Sequence, residues 1–208
     1  MQADYSVELG REDPALELPW SSADGATRYY DLKQNPDLVL QIPEALRSPE
    51  LSAFLTRINA VGFPLQTAKC DLWYSRELSA DEEIFAANGK FVSYVDLVFA
   101  EDQDRPSEPG GVTNTATSPK RLAFEQHETL AKSLCALLQR APEMKAGIEL
   151  VIRRCYYHPE GNSEDSSEGF CITAYVSGFG DDQSEARQRW NIAITLLQHA
   201  LVQAARSF

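Results

Sequence analysis

Arg153, Arg154, Cys155, Tyr156, Tyr157 and His158 follow one another without a break, the densest run of chemistry-bearing side chains in this 208-residue chain. In an extended strand successive side chains alternate between faces, so Arg154, Tyr156 and His158 share one face and Arg153, Cys155 and Tyr157 the other. A planar guanidinium beside a phenol and an imidazole suits a carboxylate or another small anion. Arg154, Tyr156 and His158 are therefore the candidate ligand-binding residues. The competing reading is that these arginines pair with the chain's own acids, since 31 Asp and Glu stand against 19 Lys and Arg.

Other candidates fail on spacing. His127 and Glu128 open like the zinc-protease pattern HExxH, but the fifth position is Ala131, so the second ligand is missing. His127 shares a helical face with Phe124, Leu130 and Leu134 and reads as a core-edge histidine, as does His199 between Leu196 and Val202. Cys155 and His158 are separated by an odd number of strand positions and point to opposite faces. Without a CxxC pair, no structural metal site is expected. Gly178, Phe179 and Gly180 begin like a phosphate-binding turn, yet Gln183 stands where the third glycine belongs and Asp181 and Asp182 supply the wrong charge. The aspartates suit a helix N-terminus instead. GxSxG and GxxxxGK[ST] do not occur. No cofactor is expected, and the pattern leans away from an enzyme.

The elements that must carry these residues are legible as periodicities. Ser48, Pro49 and Glu50 start a helix whose Leu51, Phe54, Leu55 and Ile58 form one stripe before Gly62. A shorter helix is expected after Asn35 and Pro36, with a strand over 36–43 as the alternative. Strands are expected near 66–78 and 90–100, separated by a possible capping box at Ser79 and Glu82. Both faces of 91–100 are largely apolar, which calls for helices on one side and a second layer or a partner on the other. A helix over about 120–140, strands near 148–158 and 169–178, and a long helix over 183–206 complete the second half. Cys155 and Cys171 should approach each other across that hairpin as reduced, buried thiols.

The expected fold is α+β: two helix-plus-hairpin units forming one mainly antiparallel four-stranded sheet covered by helices, closed by a long C-terminal helix. Residues 1–34 read as an irregular arm whose Trp20, Tyr29 and Tyr30 pin it to the body. Residues 35–208 read as one domain of two similar halves, 35–101 and 120–208, joined by a flexible loop at 102–119.

The formal charge of −12 resides in three segments: six acids and one base in 1–24, four and one in 101–108, and four and none in 159–168. The balanced remainder offers no basic patch for nucleic acid and none for an anionic membrane. The N-terminus lacks a secretory pattern, no apolar run reaches the ~20 residues of a membrane span, and the four cysteines do not form a disulfide framework. A soluble, cytoplasmic protein is expected. The final helix carries Ala186, Trp190, Ala193, Ile194, Leu197 and Leu201 on one stripe, widened by Ile192, Leu196 and Val202. That width requires either a deep groove in its own domain or a homo-oligomer contact through 183–206. The function expected from this pattern is self-association or association with another protein; the alternative is binding of a small anion near His158.

Overall fold

The computed structural model describes residues 1–100, 119–158 and 166–207. All but the last residue of the loop expected at 102–119, and most of the acidic turn at 159–168, lie outside these residues. The elements run β1 (Gln2–Glu8), β2 (Leu16–Leu18), α1 (Pro43–Arg47), α2 (Pro49–Ile58), β3 (Leu65–Ser75), β4 (Gly89–Phe99), α3 (Pro119–Leu138), β5 (Ala146–Tyr157), β6 (Ser167–Gly180) and α4 (Gln183–Ala204). Residues Pro36–Gln41 form a 3-10 helix, so the helical alternative holds there.

The four strands expected from the sequence form an antiparallel block in the order β5-β6-β4-β3. Each half supplies one hairpin, and the halves meet along β4 and β6, where Tyr94 faces Tyr175 in register. The sheet is nevertheless mixed and six-stranded. β1 and β2 both pair parallel to β5, one after the other along its outer edge, Ala3 beside Ile148 and Leu16 beside Cys155. This corrects the four-stranded expectation, and both added strands lie in the segment expected to be irregular. The reason is that β5, with Val151 and Ile152 buried on opposite faces, needs a neighbour on its outer edge.

One face of the sheet is buried under helices. Phe91, Val95 and Leu97 of β4, Ile148, Leu150 and Ile152 of β5, and Ile172, Ala174 and Val176 of β6 pack against α2, α3 and α4 in one apolar core. Ser48 caps α2 by accepting from the Leu51 N–H at 3.3 Å, and Asp182 caps α4 by accepting from the Glu185 N–H at 2.9 Å. α4 lies in a groove between α2 and α3, and Trp190, Ala193, Leu197 and Leu201 are wholly enclosed. The glycines once comparable to a phosphate turn serve this approach. A methyl group on Gly178 would sit 2.2 Å from the Trp190 backbone nitrogen and 2.3 Å from the Ala186 carbonyl oxygen, so only glycine lets α4 cross β6 so closely. The Trp190 indole donates to Ser93 Oγ at 2.9 Å.

Both outer edges of the sheet are plugged by side chains. On β1, the Tyr5 N–H meets the Asp4 carboxylate at 2.8 Å and Gln139 donates to the Ala3 carbonyl at 3.0 Å. On β3, Asn59 accepts from the Thr67 N–H at 3.0 Å, Asp71 accepts from the Leu72 N–H at 2.7 Å, and Lys33 donates to the Leu65 carbonyl at 2.8 Å. Backbone groups satisfied this way offer little to a further strand. No described helix is long and apolar enough to cross a membrane.

Candidate functional site

The second face of the sheet carries none of α2, α3 and α4. Its lower part is covered by the N-terminal segment, where Leu16, Leu18, Trp20 and Tyr29 pack on Ala68, Val98, Cys155 and Cys171. The second layer required by the two-faced β4 strand is thus the chain's own arm. The Trp20 indole donates to the Ala68 carbonyl at 2.8 Å, and the Lys33 ammonium donates to the carbonyls of Ala60, Phe63 and Leu65, so the aromatic and the cation pin the arm at two points.

Across this face runs a ladder of polar residues drawn from five strands. Arg153 of β5 donates through Nε to Glu8 of β1 at 2.9 Å, and through Nη1 to Thr173 Oγ1 at 3.4 Å and to the Tyr175 hydroxyl at 3.0 Å, both on β6. Thr173 in turn donates to Asp96 Oδ1 of β4 at 2.6 Å. Asp96 is the register partner of Lys69 on β3. Only 7% of Asp96 is exposed, and burial pushes its carboxyl above the ordinary value against the opposing pull of Thr173, Lys69 and Arg153. Burial likewise raises the Tyr94 phenol, with Asp96 and Asp71 adding to the effect. The Cys155 thiol is pushed up to about 12 and the Cys171 thiol higher still, chiefly by burial, so both stay protonated. They sit diagonally across the hairpin, Cys171 opposite Arg153 and Cys155 opposite Gly169, and both are free thiols, as expected.

The ladder ends at a cavity of about 540 Å³ between the arm and β3. Its apolar walls include Leu16, Leu32, Ile42 and Leu55; Trp20, Tyr30 and Tyr94 add rings; Arg28, Lys69, Glu17, Glu44 and Asp71 add charge. Each of these carboxylates already has a partner. Glu17 meets His158 Nε2, Glu44 pairs with Arg47 at 2.9 Å, and Asp71 holds the Leu72 N–H. The two cations are held differently. Lys69 Nζ lies 5.1 Å from the centre of the Trp20 ring and the Arg28 guanidinium 5.6 Å from that of Tyr30, and among the described residues neither comes within ion-pair distance of a carboxylate.

The residues singled out from the sequence are placed around the arm. Arg154 donates to the backbone carbonyls of Leu9 and Gly10, filling the gap where the chain leaves β1 before rejoining β5 as β2. His158 contacts Glu17 through its imidazole, and its backbone N–H donates to the Leu18 carbonyl at 2.8 Å. Tyr156 is half-buried opposite Glu168. Arg154 is therefore occupied in holding the arm, whereas His158 borders the cavity through Glu17. Arg153, on the other face, is the arginine that joins the polar ladder. Lys69 and Arg28 escape sequence reasoning because neither lies in a cluster; only folding brings positions 28 and 69 to one wall. His127 takes the core-edge role expected of it, its Nδ1–H donating to the Ala123 carbonyl at 2.6 Å and its ring edge-on to Phe99.

No protein-family model matches this chain, and neither the curated proteins nor the solved structures contain a match.

Proposed function

We propose that this protein binds a small organic anion with an apolar or aromatic body in the cavity between its arm and β3. One observation carries the reading. In a chain with a net charge of −12, the carboxylates lining this cavity are all engaged, while Lys69 and Arg28 line it against aromatic rings and, among the described residues, within ion-pair distance of no carboxylate. A cavity with apolar walls and a few convergent polar groups is the ordinary form of a small-molecule site. The guanidinium and ammonium take the anionic group, and Trp20, Tyr30 and the aliphatic wall take the body.

Association through α4 has less to support it. The helix's apolar width is enclosed by β6, α2 and α3, and Ile192 is its large exposed apolar residue. The plugged edges leave fewer donors and acceptors for sheet-to-sheet pairing.

Calorimetric titration with benzoate, benzenesulfonate and uncharged benzamide tests the reading. The two anions are expected to bind and benzamide to bind at least tenfold more weakly, with Lys69→Ala and Arg28→Ala each weakening the anions while leaving the unfolding midpoint near the wild-type value. Equal binding of benzamide, or no loss in the two variants, would refute an anion site; a concentration-dependent mass in sedimentation that Ile192→Asp abolishes would favour association instead.

A further inference from the structure

The ladder and the cavity share Lys69, and this juxtaposition bears on how the proposed site is regulated. Lys69 is the direct cross-strand neighbour of Asp96 on the uncovered face, and its side chain lines the cavity. An anion seated against Lys69 therefore shares that ammonium with the Asp96 carboxyl. We propose that anion binding in this cavity is coupled to uptake of one proton by Asp96, which makes Asp96 the residue that links the site to pH. The inference rests on the anion-site reading above.

The electrostatics follow from placement. An ionised Asp96 repels the incoming anion across a poorly hydrated face and draws the Lys69 charge toward the sheet. A protonated Asp96 does neither, so the neutral carboxyl favours the bound state, and by linkage the bound anion favours the neutral carboxyl. The groups around Asp96 pull its carboxyl in opposite directions. From β3 it faces Lys69 and Asp71; along β4 lies Tyr94; from β6 come Thr173, Tyr175 and Cys171; from β5, Arg153 and Cys155. Glu8 of β1 engages the Arg153 guanidinium, and Glu17 of β2 lies close enough to act on Cys155. Arg153 is thereby largely committed to Glu8, and Lys69 is the cation whose partner can change. The hydrogen bond from Thr173 supports the ionised form, and burial opposes it.

Benzenesulfonate is the suitable probe, because its own charge is constant over the accessible range. Titration of the full chain over the pH range in which it stays folded should show affinity rising as pH falls, by at most about tenfold per pH unit. Calorimetry in buffers of different ionisation enthalpy should detect net proton uptake on anion binding, and none in Asp96→Asn. Asp96→Asn, which is permanently neutral, should bind at least as tightly as wild type at every pH and lose the slope. Thr173→Val removes the donor to the ionised form and should move the slope to higher pH, which keeps the test alive if Asp96→Asn does not fold. His158→Gln is the control for the imidazole beside Glu17 and should retain the slope. A slope that survives in Asp96→Asn, vanishes in His158→Gln, or is unmoved in Thr173→Val would overturn the coupling while leaving the anion site intact. Absence of benzenesulfonate binding at every pH would overturn the site and the coupling together.

Discussion

The two faces of the sheet solve opposite problems. On the helix-covered face, Phe91, Val95, Leu150, Ile152 and Ala174 meet α2, α3 and α4 with almost no residual exposure, and two glycines let α4 come within backbone contact of β6. On the other face five of the six strands contribute polar residues, and the cover is an arm that closes only part of the surface. The contrast teaches that one apolar face is enough to specify the fold, which frees the second for hydrogen-bonded charge and a cavity. It also implies a hierarchy of stability, with the helix face setting global unfolding and the arm face setting local opening.

The largest expected effect lies on the helix face. Trp190→Ala removes a wholly buried indole, its edge contact with Phe91 at 5.3 Å and its bond to Ser93, and should cost about 3–5 kcal/mol in urea unfolding. Next comes Arg153→Met, which keeps the aliphatic bulk but leaves Glu8, Thr173 and Tyr175 without their shared donor. A loss of about 1–3 kcal/mol is expected, smaller than for Trp190 because Glu8 regains water. Should Arg153→Met prove the more damaging of the two, the uncovered face would be the one that specifies the fold, and the comparison would invert.

The sequence foretells the helix face better than the other, for physical reasons. Stripes such as Leu51, Phe54, Leu55 and Ile58 report burial through local spacing alone, and the two hairpins are local pairings. The β1 strand carries a strand signal too, with Ala3, Tyr5 and Val7 alternating against Asp4, Ser6 and Glu8, but its acidity makes it read as a solvated arm. Its partner β5 is more than a hundred residues away, and no local rule names a parallel partner. The same limit governs the candidate site. Alternation separates Arg153 from Arg154, but which of the two faces is left open depends on where three helices dock. The pairing of Lys69 with Trp20, and of both with a cavity, is wholly tertiary.

A finer test uses one titratable group on each face. His127, on α3, is buried among Phe99 and Phe170, and burial holds its imidazole below the ordinary value. The unfolded chain therefore takes up the proton first, so this contribution is present above the unfolded value near 6.5 and is lost as pH falls below it. Asp96 has the opposite sign: its folded carboxyl is raised, so the native state holds the extra proton and stability is gained as pH falls through the folded value. Denaturant midpoints measured between about pH 7 and pH 5 should fall for wild type, with a slope below about 1.4 kcal/mol per pH unit, and His127→Phe should flatten this fall. Asp96→Asn removes the opposing contribution and should make the fall steeper. If His127→Phe retains the full slope, the burial on the helix face does not control acid sensitivity.

The smallest effect expected is also the most local. Trp20→Phe keeps a ring over Lys69 but loses the indole donor to the Ala68 carbonyl, worth about 0.5–1.5 kcal/mol. Because Lys33 and Arg154 still tie the arm on either side, that loss should not reach the global unfolding transition in full. It should appear instead in hydrogen exchange, where the Tyr29 amide, bonded to the Trp20 carbonyl at 2.8 Å, exchanges severalfold faster while the Val95 and Ala174 amides at the sheet centre keep their wild-type rates. Uniform acceleration across both sets would mean that the arm and the sheet open as one unit, and that the uncovered face is as much a part of the folding core as the face beneath the helices.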